Sequence, residues 1–261
     1  YSCPTNNRYG HADVYKLYAE MGVNALVKGR LQHGWSAEYS GIVAGDLEFK
    51  GNYYVWNEKF SRFGRDHESN LHPLPEDKTF IVGAPIIYLD RPSIEENRYP
   101  MLFVAAHSLR KKLAAKEYWQ EFIQFVKRHA TPGAILLSKR DVELGHADLV
   151  KEAGLSYMCA GNPYSIDFLY NLTYILLQFK LVVAPTAQTA LFYALYLGKM
   201  VTIDGPDMPL GDYCERFVLD RSWTKRHFPE LLEGTDDKSI ADRELGLEFK
   251  KSKEELKRLM F

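Results

Sequence analysis

Polar residues able to hold an anion follow the short apolar runs of this sequence one after another. His107, Ser108 and Arg110 come after residues 101–106, Ser138, Lys139 and Arg140 after 134–137, Asn162 after 156–159, and Thr186, Gln188 and Thr189 after 181–184. These are the hydroxyls, amides, imidazoles and cations from which a phosphate or carboxylate accepts hydrogen bonds. Nearer the amino end, the string Gln32-His33-Gly34-Trp35 breaks a strand-like run at a glycine. There both backbone and imidazole can approach a ligand closely. Glu38 and Asp46 follow it, and either has the chemistry of a general base, Glu38 first and Asp46 second. Trp35 and Tyr39 offer ring faces for a sugar or base, and equally surface for core packing.

The charge pattern supports an anionic ligand locally and not globally. With 33 Lys+Arg against 34 Asp+Glu the net charge is -1, which argues against the basic footprint of a nucleic-acid-binding protein. Residues 107–140 nonetheless hold eight Lys/Arg against two acids, Glu117 and Glu121. For Lys112, Lys116, Lys127 and Arg128 a solvated helix face explains the charge as well, and for Thr186 and Thr189 helix capping does. Capping and anion binding are compatible, since exposed N–H groups at a helix start also take phosphate. His67, His72, His129 and His146 read as surface residues.

Several chemistries leave marks that are missing. No GxGxxG opens a βαβ unit, and there is no GxxxxGK[ST], GxSxG or HExxH string. No Asp-x-Asp occurs, so a metal that neutralises a diphosphate has no obvious seat, and neither metal nor cofactor is expected. Cys3, Cys159 and Cys214 form no CxxC pair, which argues against a disulfide framework or zinc cluster and fits a reducing compartment. No run approaches 18 apolar residues, and the first residues lack signal-peptide form.

The elements that must position these residues are those of an α/β protein with parallel sheets. From about residue 80, apolar runs at 80–82, 101–105, 134–137, 156–159, 181–184 and 200–203 read as strands covered on both faces. Helices are predicted between them, at about 116–129, 165–179 and 186–197. The last has Ala187, Ala190, Leu191, Ala194 and Leu195 on one stripe and stops at Gly198. In the second, Ile166, Leu169, Tyr170, Thr173, Leu176 and Leu177 form the expected buried face. The first 75 residues offer a helix near 13–21, a strand near 25–31 and a short strand at 53–56. His72-Pro73-Leu74-Pro75 reads as the crossing to a second domain, giving residues 1–75 and 76–261. Residues 251–259 form a charged amphipathic helix.

Four passages together resemble GT-B-fold glycosyltransferases that use nucleotide-sugar donors, in particular those of bacterial surface-polysaccharide (capsule and O-antigen) assembly. They are Gln32-His33-Gly34, Val82-Gly83-Ala84-Pro85, His107-Ser108 and the stretch from Phe179 through Thr186-Ala187-Gln188-Thr189 to Leu197-Gly198-Lys199. The resemblance implies two Rossmann-like lobes, with the donor held by the C-terminal one and a glycan or lipid-linked acceptor by the N-terminal one. At 261 residues the N-terminal lobe would be reduced. It implies metal-independent transfer in which His107, Ser108 and the helix start at 186–189 stabilise the leaving phosphate. Arg110, Ser138, Lys139, Arg140 and Asn162 would complete the donor site, and His33 with Glu38 or Asp46 the catalytic set. An inverting enzyme needs that carboxylate as base, whereas a retaining one does not. A cytoplasmic location, free or at the inner face of the membrane, goes with this. The alternatives are a sugar-nucleotide epimerase or hydrolase of the same architecture, and a catalytically silent nucleotide- or sugar-binding subunit.

Overall fold

A computed structural model describes residues 4–37, 42, 51–65, 70–106, 116–129, 133–206 and 221–261. In chain order the first elements are α1 (His11–Tyr18), β1 (Gly29–Leu31), β2 (Asn52–Val55), β3 (Phe63–Arg65), β4 (Leu71–Pro73) and β5 (Thr79–Ile81). Next come β6 (Tyr99–Val104), α2 (Lys116–Lys127), β7 (Ala134–Leu137), α3 (Lys139–Glu143), α4 (His146–Glu152), β8 (Ser156–Cys159) and α5 (Phe168–Leu177). The rest are β9 (Phe179–Ala184), α6 (Thr189–Tyr196), β10 (Met200–Ile203), α7 (Arg221–His227), α8 (Pro229–Glu233), α9 (Lys238–Leu245) and α10 (Lys253–Met260). Among the described residues no helix is long and apolar enough to cross a membrane.

The chain divides into two compact units, the first Tyr1–Arg91, Pro163–Tyr170 and Ser239–Phe261, the second Pro92–Asn162 and Asn171–Lys238. The expected boundary at residue 75 lies inside the first unit. β5 pairs in parallel with β2, Tyr53 opposite Thr79 and Val55 opposite Ile81, so the sheet continues past the prolines. His72 and Pro73 belong to an antiparallel pair, β3 with β4.

In the first unit β1, β2 and β5 form a parallel sheet in that order. The final helices close this unit rather than extending the second. The Ala84 N–H donates to the Leu245 carbonyl at 2.7 Å and the Lys28 N–H to Met260 at 2.7 Å. Val82-Gly83-Ala84-Pro85 is therefore a packing motif. Gly83 has φ +77, the Tyr15 hydroxyl donates to its carbonyl at 2.6 Å, and a Cβ there would stand 2.9 Å from the Gly246 carbonyl oxygen.

The second unit is built on five parallel strands in the order β10-β9-β6-β7-β8. Numbered along the chain this is the doubly wound order 3-2-1-4-5 of Rossmann-like α/β sheets. β7 is buried at all four positions, as a strand covered on both faces must be. α2 places Tyr118, Trp119, Phe122, Ile123 and Val126 on one stripe, and these pack in one core with Phe103 of β6 and Ile135 of β7. α6 is buried along all of Leu191–Leu195 rather than on one stripe. In α5, Leu169, Thr173, Leu176 and Leu177 are buried as expected, but Ile166 and Tyr170 are exposed. The helix begins at Phe168, so Ile166 precedes its first turn and the buried face is completed by Leu172 and Ile175.

Candidate functional site

In an open doubly wound sheet the ligand crevice lies beyond the carboxyl ends of the strands, where the order reverses. Here that point falls between β6 and β9, which pair with Phe103 opposite Val183. β6 runs out into buried Ala105 and Ala106. The residues that follow, including His107, Ser108 and Arg110, lie outside those described, as do Glu38 and Asp46.

β9 runs out into Pro185-Thr186-Ala187-Gln188, and α6 starts at Thr189, two or three residues later than the expected start at Thr186 or Ala187. Gln188 is the N-cap residue, extended at φ -156, and its side chain does not cap the helix. Its amide nitrogen is buried without a hydrogen-bond partner. The helix start therefore has no side-chain acceptor from its own N-cap residue, and of the first-turn N–H groups that of Leu191 donates to the Gln188 carbonyl at 3.0 Å.

Ser138, Lys139 and Arg140 stand one strand further along, after β7. The Ser138 hydroxyl is committed to a capping box: it donates to the Asp141 carboxylate at 2.5 Å and accepts from the Asp141 N–H at 3.1 Å. Lys139 is exposed and pairs with Glu143 at 3.6 Å, so its charge is a helix-face charge. Asn162 follows β8, at the sheet edge opposite β10, and is exposed. Strands lie about 4.8 Å apart, so Thr186 and Gln188 flank the end of β6 directly while Asn162 is two strands away.

A cavity of about 520 Å³ opens at the end of β10, lined by Glu121, Phe125, Arg128 and His129 of α2 and its end, and by Asp204, Gly205 and Pro206. Gly205, at φ +143, lets the backbone pass Pro185, where a Cβ would stand 3.3 Å from the proline Cβ. Arg128 is exposed, as a solvated helix face requires, whereas His129, expected at the surface, is half-buried and packs on Phe103 and Phe125 with ring centroids 5.0 and 4.9 Å apart. His146, also expected at the surface, is buried and stacked 4.5 Å from Trp119. Asp204-Gly205-Pro206 directly after an apolar strand was the available signal for this cavity.

In the first unit the carboxyl end of β1 carries a second polar cluster. Gln32 is buried and fixes the turn: its side-chain oxygen accepts from the Trp56 N–H at 2.9 Å and its amide donates to the Gly34 carbonyl at 2.9 Å. Asn6 holds the preceding segment along β1, donating to Gly29 and accepting from the Leu31 N–H at 2.8 and 3.0 Å. This brings Arg8, Tyr9 and His11 to His33. The Tyr9 ring lies 5.2 Å from His33 and 5.7 Å from His11. Burial pushes His33 down to about 3, with the charge of Arg8 and His11 adding to it. Burial pushes His11 down to about 4, against a hydrogen bond to the Gln32 backbone. Both imidazoles are thus neutral at neutral pH. Burial also raises Tyr9, which keeps its proton.

Of this cluster the sequence points to His33, with Gln32 in the same string. Arg8, Tyr9 and His11 were missed, since an Arg-Tyr-Gly-His string matches no motif. Trp35 is not free to stack on a ligand: it is buried, and its indole donates to Glu244 at 2.7 Å. Among the described residues no group of three or more His, Cys, Asp or Glu side chains is placed to hold a metal.

No protein-family model, no curated protein and no solved structure matches this chain.

Proposed function

We propose that this chain is a glycosyltransferase that moves a sugar from a nucleotide-sugar donor to a hydroxyl acceptor in surface-polysaccharide assembly. In this reading the two units are the lobes of a GT-B-like enzyme. The observation that carries it is the coincidence of the strand-order reversal, between β6 and β9, with a helix start that its own N-cap side chain leaves uncapped. A diphosphate bound there gains from the positive end of the α6 dipole. The cavity beside Gly205 has the size of a small-ligand pocket and would take the nucleoside or sugar.

Transfer breaks the bond between the sugar anomeric carbon and the phosphate oxygen, and the acceptor oxygen bonds to that carbon. The electron pair leaves with the nucleotide, whose growing negative charge the helix start stabilises, typically the largest catalytic contribution in such sites. In an inverting reaction the acceptor proton passes to Glu38, or else to Asp46. His33, held near 3, is too weak a base for that proton at neutral pH and serves as a neutral hydrogen-bonding partner. The phosphate charge is met by N–H groups and cations of the chain, so transfer is expected to persist in chelator.

Calorimetry of the full chain with UDP, CDP, CMP and GDP tests this reading. Saturable binding of at least one, followed by release of that nucleotide from its sugar conjugate when acceptor is supplied, is the expected result. Binding without sugar transfer or turnover would favour a silent subunit. No binding by folded protein would remove the proposal.

A further inference from the structure

The Arg8–Tyr9–His11–His33 corner carries a charge that no carboxylate among the described residues balances. The Nε of Arg8 is buried without a hydrogen-bond partner, and its guanidinium lies 5.3 Å from the Tyr9 ring centroid. Among the described residues no carboxylate forms an ion pair with it. Arg8 is half-buried and its guanidinium hydrogen-bonds the Tyr9 phenol, and a guanidinium partly withdrawn from water normally has an acid beside it as well.

The backbone at the same place is strained and firmly held. Tyr9 has φ +61, a left-handed conformation rare for a residue with a Cβ. Its N–H donates to the Pro163 carbonyl, and its ring packs 5.3 Å from Phe168. A Cβ on Gly10 would stand 2.9 Å from the Ile166 carbonyl oxygen, so the chain fits here only as glycine. Strain held in place by surrounding contacts is typical of ligand clamps.

We infer that this corner is a binding site for an oxyanion, a phosphate or carboxylate group, with Arg8 as its counter-charge and Tyr9 and His33 as hydrogen-bonding partners. The side-chain chemistry selects that class. A cation would add to the unbalanced positive charge, and a neutral ligand would leave it unbalanced. An oxyanion pairs with the guanidinium and accepts from the phenol O–H and an imidazole N–H. The neutral state of both imidazoles fits hydrogen bonding rather than a further charge. His11 acts as a positioning residue through its bond to the Gln32 backbone, which sets the turn that carries His33. This inference shares His33 with the transferase reading but does not depend on it, because the donor site of that reading lies in the second unit.

The test follows the His33 and His11 ring signals of the full chain by NMR, assigned with His33→Gln and His11→Gln. Inorganic phosphate, acetate and dimethyl phosphate are added separately, to distinguish a phosphomonoester, a carboxylate and a phosphodiester as the natural group. Saturable shifts of the His33 signals with at least one probe are expected. They should weaken at least tenfold in Arg8→Gln and recover in large part in Arg8→Lys, with both variants checked for folding by circular dichroism. No saturable shift with any probe in the folded parent overturns the inference. So does an unchanged response in folded Arg8→Gln. If Arg8→Gln fails to fold, Tyr9→Phe replaces it, and an undiminished response there removes the site as described. Because no probe carries a nucleoside, failure here leaves nucleotide binding by the second unit untouched.

Discussion

The indole Nε1 of Trp35 donates to the carboxylate of Glu244 at 2.7 Å, joining residues 209 positions apart in sequence. Lys59 completes the set, with its Nζ 2.9 Å from the same carboxylate and 4.9 Å from the Trp35 ring centroid. The loop after β1 is therefore anchored on α9, and so is the turn after β2, whose Asn57 amide donates to the Arg243 and Glu244 carbonyls at 3.1 and 2.9 Å. Trp35→Phe keeps much of the packing but leaves a buried acceptor with one partner fewer. A loss of about 1–3 kcal/mol in urea unfolding is expected. An unchanged midpoint would mean that the bond carries no stability.

Two glycines separate backbone conformation from close approach. Gly154, at φ +75, has open space around it, so Gly154→Ala should cost about 1–2 kcal/mol, the price of a left-handed residue with a Cβ. Gly246, at φ +69, would place a Cβ 1.8 Å from the Trp56 carbonyl oxygen. Gly246→Ala should cost well beyond the Gly154 value, because backbone must move. Equal urea midpoints for the two variants would contradict the close approach.

Lys199, the lysine of the Leu-Gly-Lys string, is 1% exposed and donates to Glu96 at 3.0 Å, Asn97 at 3.0 Å and the Leu177 carbonyl at 2.9 Å. It ties the segment before β6 to the end of α5. Lys199→Met fills the space without the donors and leaves the Leu177 carbonyl short of a partner, at a cost of about 1–3 kcal/mol. Its thermal midpoint should fall while nucleotide binding by the folded protein persists.

The neutral histidines give stability a direction with pH. His11 sits at about 4 in the fold against an ordinary 6.5, so the unfolded chain takes up its proton first. The stability is complete above about 6.5 and is lost as pH falls toward 4. By pH 5, above the range where most carboxylates titrate, His11 alone accounts for about 2 kcal/mol. His33 adds a loss of the same sign. His11→Gln removes the titration, so its urea midpoint should fall less than the parent's between pH 7 and pH 5. Parallel curves would contradict the burial of His11.

Strands in the second unit were legible in the sequence as short apolar runs, most plainly β7, which is buried at all four positions, while the edge strands β8 and β10 kept the pattern although partly exposed. The runs at 134–137, 156–159 and 200–203 match β7, β8 and β10 residue for residue. Strand order was not legible, since pairing of β6 with β9 joins residues about 80 positions apart and depends on no local pattern. Residues 80–82 read as the first strand of a second domain, yet β5 belongs to the first sheet, because a short apolar run carries no mark of its partner. At the candidate sites, hydroxyls after strands were easy to find. Their commitments were not: Ser138 is bound to its own capping box, and the corner around His33 is assembled from Arg8 and Tyr9 by a left-handed turn invisible in composition.

Holding a nucleotide-sugar donor at the carboxyl edge of the second unit is the central claim. Hydrogen–deuterium exchange of the full chain, with and without each of UDP, CDP, CMP and GDP, tests it most directly. Protection by at least one nucleotide is expected in peptides covering the end of β6, the start of α6 and residues 204–206, with peptides covering β3 and β4 unchanged. No protection by any of the four, or protection confined to segments away from that edge, would contradict the claim.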